Sequence, residues 1–131
     1  MRGLDTNVLV RYLTQDDPAQ ARRANAIITQ TIARGDRLTI NVIVVCELVW
    51  VLSEAYEFDK STIITTLQRI LDTTQFVVED RDVVRRAVDE YQRGQGDLSD
   101  YLIGWRNREA GCADTVTFDR QLSKSRLFTV L

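Results

Sequence analysis

Residues 38–52 read Leu38-Thr39-Ile40-Asn41-Val42-Ile43-Val44-Val45-Cys46-Glu47-Leu48-Val49-Trp50-Val51-Leu52. The stretch divides at Asn41. Leu38 to Ile40 is short and apolar, as a strand requires, and Asn41 carries a side-chain oxygen suited to capping the first turn of a helix. That helix is predicted to contain Val44, Glu47, Leu48, Val51, Leu52 and Ala55. Strand passing directly to helix is the repeating unit of an α/β fold.

The same unit recurs on both sides. Upstream, Met1 begins a short apolar segment whose strand is expected to end at Asp5. Asp17-Pro18-Ala19-Gln20 then opens a helix, with Asp17 as cap, Pro18 at the first helical position and Gln20 placed to complete a capping box. Ala21, Ala24, Ile28 and Ile32 follow at helical spacing, and Gly35 supplies a stop. Downstream, Lys60 to Leu71 is predicted helical through Ile63, Ile64, Leu67, Ile70 and Leu71, and Phe76 to Val78 as a strand. Asp80 is expected to cap a helix carrying Val83, Val84, Ala87, Val88 and Tyr91, which Gly94 and Gly96 end. A last helix starts near Asp97 with Leu98, Tyr101, Leu102 and Trp105, and Ala113 to Thr117 reads as a strand delivering Asp119. This alternation predicts an α/β fold of three layers, a mainly parallel central sheet flanked by helices. With 131 residues and no linker, repeat or low-complexity tract, a single domain over residues 1–131 is expected.

Composition narrows the chemistry. No apolar stretch reaches the roughly 18 to 20 residues that span a bilayer, and no basic segment followed by an apolar one opens the chain, so cytoplasmic residence without a membrane partner is expected. Cys46 and Cys112 sit among apolar residues and are expected as buried thiols. The net charge of -2 excludes a domain that binds nucleic acid through overall basicity, though not one with a local basic rim. Arg11, Arg22, Arg23, Arg85, Arg86, Arg93, Arg106 and Arg108 are available as phosphate anchors; ordinary surface solubility explains most of them equally well. The absence of His excludes Ser-His-Asp and Cys-His nucleophile systems and imidazole-based metal centres.

Parallel sheets place ligands beyond the carboxyl ends of their strands, and acidic residues gather at those places in this sequence. Asp5 ends the first strand. Glu47 interrupts the long apolar run, where a buried carboxylate would need an Arg, a proton or a metal as partner. Asp97 and Asp100, three residues apart, share the first turn of a helix, and Asp119 follows Thr117-Phe118 at the last strand's end. Structural roles exist for four of them: a cap or turn at Asp5, an ion pair at Glu47, and a helix cap at Asp97 with Asp100 accepting from the backbone. Hard divalent cations such as Mg2+ prefer oxygen ligands of this type.

Asp5-Thr6-Asn7, Glu47 in its apolar helix, Asp97-Leu98-Ser99-Asp100 before Tyr101-Leu102-Ile103, and Thr117-Phe118-Asp119 together resemble the PIN-domain nucleases. They are especially similar to the VapC ribonuclease toxins of bacterial and archaeal toxin-antitoxin pairs. The resemblance covers almost the full chain. It implies Asp5, Glu47 and Asp100 as the principal acidic set, Asp119 completing it and Asp97 as an extra acidic position, with either Asp119 or Asp114 serving at the last strand. Thr6, Asn7 and Thr117 match polar supports. It further implies Mg2+ or Mn2+, hydrolysis of RNA to 5'-phosphate and 3'-hydroxyl ends, frequent homodimers, and a cognate VapB-like antitoxin. An apolar antitoxin segment is expected against the Lys60 to Leu71 stripe with Trp50 and Leu52, its basic side chain near Asp5, Glu47 and Asp100; the alternative is that this surface completes the monomer core or a homodimer. Two other functions share the acidic and parallel-sheet features: a catalytically inactive RNA-binding or interaction module, and a receiver-like phosphoacceptor switch, which the Asp5-Thr6-Asn7 start and Glu47 fit poorly.

Overall fold

A computed structural model describes residues 1–131. Its backbone resolves into two compact units, Met1–Glu79 and Asp80–Leu131. Every strand pairing is parallel, and helices flank the strands, which makes the fold α/β as the alternation predicted.

The first unit contains β1 (Arg2–Gly3), α1 (Thr6–Thr14), α2 (Pro18–Ala33), β2 (Leu38–Ile40), α3 (Val42–Glu54), α4 (Lys60–Asp72) and β3 (Phe76–Val78). Its strands pair in the order β1-β2-β3, with Leu38 opposite Arg2 on one side and Phe76 on the other. The expected first strand is shorter than the sequence suggests. Leu4 still donates to the Thr39 carbonyl at 3.0 Å, but Thr6 to Thr14 wind into a helix that the two-residue strand feeds directly. The capping readings at Asn41 and Asp17 hold: Asn41 accepts from the Val44 amide at 2.9 Å and Asp17 from the Gln20 amide at 3.0 Å. The Gln20 side chain does not close a capping box; it accepts from Arg11 Nε at 2.7 Å instead. Gly35 stands just past α2 with φ +71, a left-handed conformation in which glycine meets no Cβ penalty.

The faces of α3 and α4 decide two questions of burial. Helix α3 is nearly all apolar, yet Ile43, Glu47, Trp50 and Glu54 recur at helical spacing on a face open to solvent. Ile43 and Trp50 are each 67% exposed, and Glu47 is exposed with them, so its charge needs no buried partner. The apolar stripe of α4 is the reverse case. Ile63, Ile64, Leu67, Ile70 and Leu71 are all buried, as is Leu52, so that stripe forms core. The cysteines also depart from expectation, Cys46 being half-buried and Cys112 exposed.

The second unit contains α5 (Arg81–Arg93), α6 (Leu98–Glu109), β4 (Thr115–Thr117), a 3-10 turn at Arg120–Leu122, and β5 (Phe128–Val130), which pairs with β4. Asp80 precedes α5 in a left-handed conformation, φ 50, and its side chain makes no capping bond, contrary to the sequence reading. Strand β5 has no counterpart among the strands read from the sequence.

The turn leading into α6 depends on Tyr101. Its hydroxyl accepts from the buried Gly96 amide at 3.0 Å, and a Cβ at Gly94 would stand 2.0 Å from that same oxygen. Tyr101→Phe should therefore leave a buried amide unsatisfied and lower stability by about 1–3 kcal/mol. Gly94→Ala should cost a similar amount through overpacking. Urea unfolding monitored by circular dichroism checks both, and unchanged midpoints would show that the turn tolerates either loss.

Candidate active site

In the first unit the acidic residues meet at the start of α1. The Leu4 to Thr39 bond extends the β1-β2 pairing to the residue before Asp5, and Asp5 then turns out of the sheet as the N-cap. Its Oδ1 accepts from the Thr6 amide at 2.8 Å. Thr6 is buried, 8% exposed, and its hydroxyl donates to Glu47 Oε1 at 3.0 Å. One threonine thus touches both carboxylates, through its amide and through its hydroxyl. Its position at the helix N-terminus supplies a partial positive charge that favours anions there. Asn7 follows, exposed in the same first turn.

In the second unit Asp97 is the N-cap of α6, and its amide donates to Asp100 Oδ2 at 2.9 Å. Thr117 ends β4 and accepts from the Asp119 amide through Oγ1 at 3.0 Å. Asp119 in turn caps the 3-10 turn, its Oδ1 accepting from the Gln121 amide at 2.9 Å. Burial raises the Asp100 carboxyl above the usual carboxylate range, and the charges of Asp97 and Asp119 push the same way, opposed by the hydrogen bond from the Asp97 amide. Burial also raises the Tyr91 phenol, again with Asp97 contributing. Asp114 lies before β4 and accepts from the Thr129 hydroxyl of β5, a strand tie, whereas Asp119 lies beyond the carboxyl end of β4 and acts on Asp100.

Asp5, Glu47, Asp100 and Asp119 each use one carboxylate oxygen in these bonds, leaving the second available to a ligand. No group of three or more Asp, Glu, Cys or His side chains is gathered so as to hold a metal ion. What the structure offers is oxygen donors in small sets, the donor type that a hard cation such as Mg2+ prefers. That ion commonly takes one or two carboxylates, keeps several waters and shares the rest of its shell with phosphate, in contrast to an all-protein cage. The Gln121 amide that anchors Asp119 escaped the sequence reading, since its role exists only once the 3-10 turn forms.

The chain matches the PIN domain over residues 4–126. It belongs to the PIN-domain family. A VapC ribonuclease of Aquifex aeolicus (strain VF5) is 27% identical over 130 residues, covering 99% of this chain and 96% of that protein. The parallel strands and flanking helices of this PIN domain agree with that membership. None of its helices is long and apolar enough to cross a membrane.

The raised Asp100 carboxyl has a consequence for stability. A folded pKa above the unfolded one means that the native state binds the proton more tightly, so the ionised form penalises folding at neutral pH and acidification relieves the penalty. In EDTA, Asp100→Asn is expected to melt above the wild-type chain at pH 7. The gap should narrow as pH falls toward about 3.9, the ordinary aspartate value. Thermal melts across that range measure it; a variant that melts lower at pH 7 would contradict the account.

Proposed function

We propose that this PIN domain is a divalent-metal-dependent endoribonuclease toxin, restrained by a cognate antitoxin. The observation that carries the reading is the acidic arrangement itself: carboxylates at strand ends and helix starts, with Glu47 within α3, each pinned by one oxygen and open at the other. Like charges held near Asp100 are unfavourable until a cation offsets them. The VapC ribonuclease similarity supplies the reaction class.

In this reading Asp5, Glu47, Asp97, Asp100 and Asp119 are the ligands for Mg2+ or Mn2+, and residues 1–131 act as one nuclease domain. When bound, the metal lowers the pKa of water and offsets charge on the phosphate oxygens. Thr6 holds Glu47 and Asp5 in place, Thr117 holds the Asp119 backbone, and Asn7 offers an exposed amide beside them. Hydrolysis by water leaves 5'-phosphate and 3'-hydroxyl ends and needs no proton transfer by histidine, which the chain lacks. The antitoxin places a basic side chain near the carboxylates, where it competes with cation and phosphate. A homodimer and cytoplasmic residence accompany the reading by family resemblance.

Incubation with mixed cellular RNA and Mg2+ or Mn2+, followed by mapping of cut positions and end groups, tests it. Asp5→Asn and Asp100→Asn should each lower cleavage at least about 100-fold, the scale seen when a transition-state electrostatic contact is removed. Thr6→Val should lower it about tenfold through the freed Glu47. Cleavage undiminished in excess EDTA would overturn the proposal, and RNA binding without cleavage would mark an inactive module. For the antitoxin, pull-down from the native cell and assays on the reconstituted complex should show suppressed cleavage. Replacing the inserted basic residue should restore activity while the complex persists.

A further inference from the structure

Within the second unit a cavity of about 710 Å3 opens among the end of α5, α6 and the segment leading into β5. Arg93, Arg108, Lys124 and Arg126 line it, against a single carboxylate, Glu90. In a chain whose net charge is -2, this is a local reversal of sign. Glu90 is already engaged, accepting from the Ser125 hydroxyl at 3.2 Å. Arg108 is fixed in place by donating to the Arg126 carbonyl at 3.2 Å. The side chains of Arg93, Lys124 and Arg126 take part in none of the protein's ion pairs.

A second observation comes from the aromatic wall. Trp105 lines the cavity, and its indole nitrogen is buried with no hydrogen-bond partner. The Arg86 guanidinium stands 5.2 Å from the Trp105 ring centroid, which adds a further cation beside this wall. Two lining residues are close along the chain to the acidic residues of the same unit. Gln95 stands two residues before Asp97, and the Gln121 amide is the one that anchors Asp119.

We propose that this cavity grips the sugar-phosphate backbone of single-stranded RNA and leads it toward Asp97, Asp100 and Asp119. The inference rests on the ribonuclease reading of those carboxylates and adds the surface that holds the substrate. Cations without carboxylate partners beside an aromatic wall are the combination that binds unpaired nucleic acid strands. The acidic residues alone would repel a phosphate, so a grip outside them meets a need the acidic set creates.

The test uses the full chain with Trp50→Phe, so that Trp105 is the one remaining tryptophan, titrated in EDTA with a 12-nucleotide oligouridine. Binding is expected to change Trp105 emission. Arg93→Gln, Lys124→Gln and Arg126→Gln should each flatten the plot of log affinity against log salt by about 0.7, the value per phosphate contact on single strands. Combined, they should weaken binding at least about tenfold in 100 mM salt, with circular dichroism melts confirming that the variants fold. Silent Trp105 emission, or variants that bind as tightly with an unchanged slope, would overturn the proposal. So would displacement of oligouridine by an equal concentration of oligoglutamate, which would make the cavity a dock for an acidic protein segment. Parallel cleavage assays with Mg2+ separate the two readings. Binding through the three cations without any cleavage keeps the grip and removes the ribonuclease function, whereas cleavage with unaltered variant binding does the opposite.

Discussion

The hydrogen bond from the Leu4 amide to the Thr39 carbonyl, 3.0 Å long, is the last rung of the β1-β2 pairing, and the geometry of the first unit depends on it. It fixes where the chain leaves the sheet. One residue later Asp5 caps α1, and the residue after that spans to α3 through the Thr6 hydroxyl and Glu47. A shift of one residue in that pairing would reverse the faces of the strand and carry Asp5 away from the helix start. The second unit repeats the logic at another strand. Leu131 donates to the Thr117 carbonyl at 2.8 Å, and Asp119 follows immediately beyond that rung.

In both units a carboxylate does two jobs at once. Asp5, Asp97 and Asp119 cap helical turns, and the same positions bring negative charge to strand ends and helix starts. Capping stabilises the local backbone, while burial, with the charges of Asp97 and Asp119 added, disfavours the ionised form of Asp100. The fold thus tolerates an electrostatic penalty at Asp100 and sets against it capping bonds from the same residues. Sites where local stability is given up are where function is commonly found.

Much of this was legible in the sequence because it is local. Asn41, Asp17 and Pro18 mark helix starts through chemistry confined to a few residues, and the alternation of strands with helices follows from periodicity. The acidic positions stood out by type and order. What escaped depended on contacts distant along the chain or on very short elements. An apolar helix does not announce which face meets solvent, so Glu47 looked buried when Ile43 and Trp50 lie exposed beside it. The stripe on α4 looked available because its partners are remote in sequence. Strand β5 exists through its pairing with β4, and the bond from Thr129 to Asp114 exists only once those two strands meet.

The one-oxygen anchoring of Asp5, Glu47, Asp100 and Asp119 has a thermodynamic consequence. A carboxylate free to rotate must surrender its conformational entropy when it engages a ligand, and immobilising a flexible side chain on binding costs about 0.5–1.5 kcal/mol. Here backbone amides and a threonine hydroxyl have already chosen the rotamers. The ordering is completed as the chain folds, and a ligand meets side chains whose freedom is already spent.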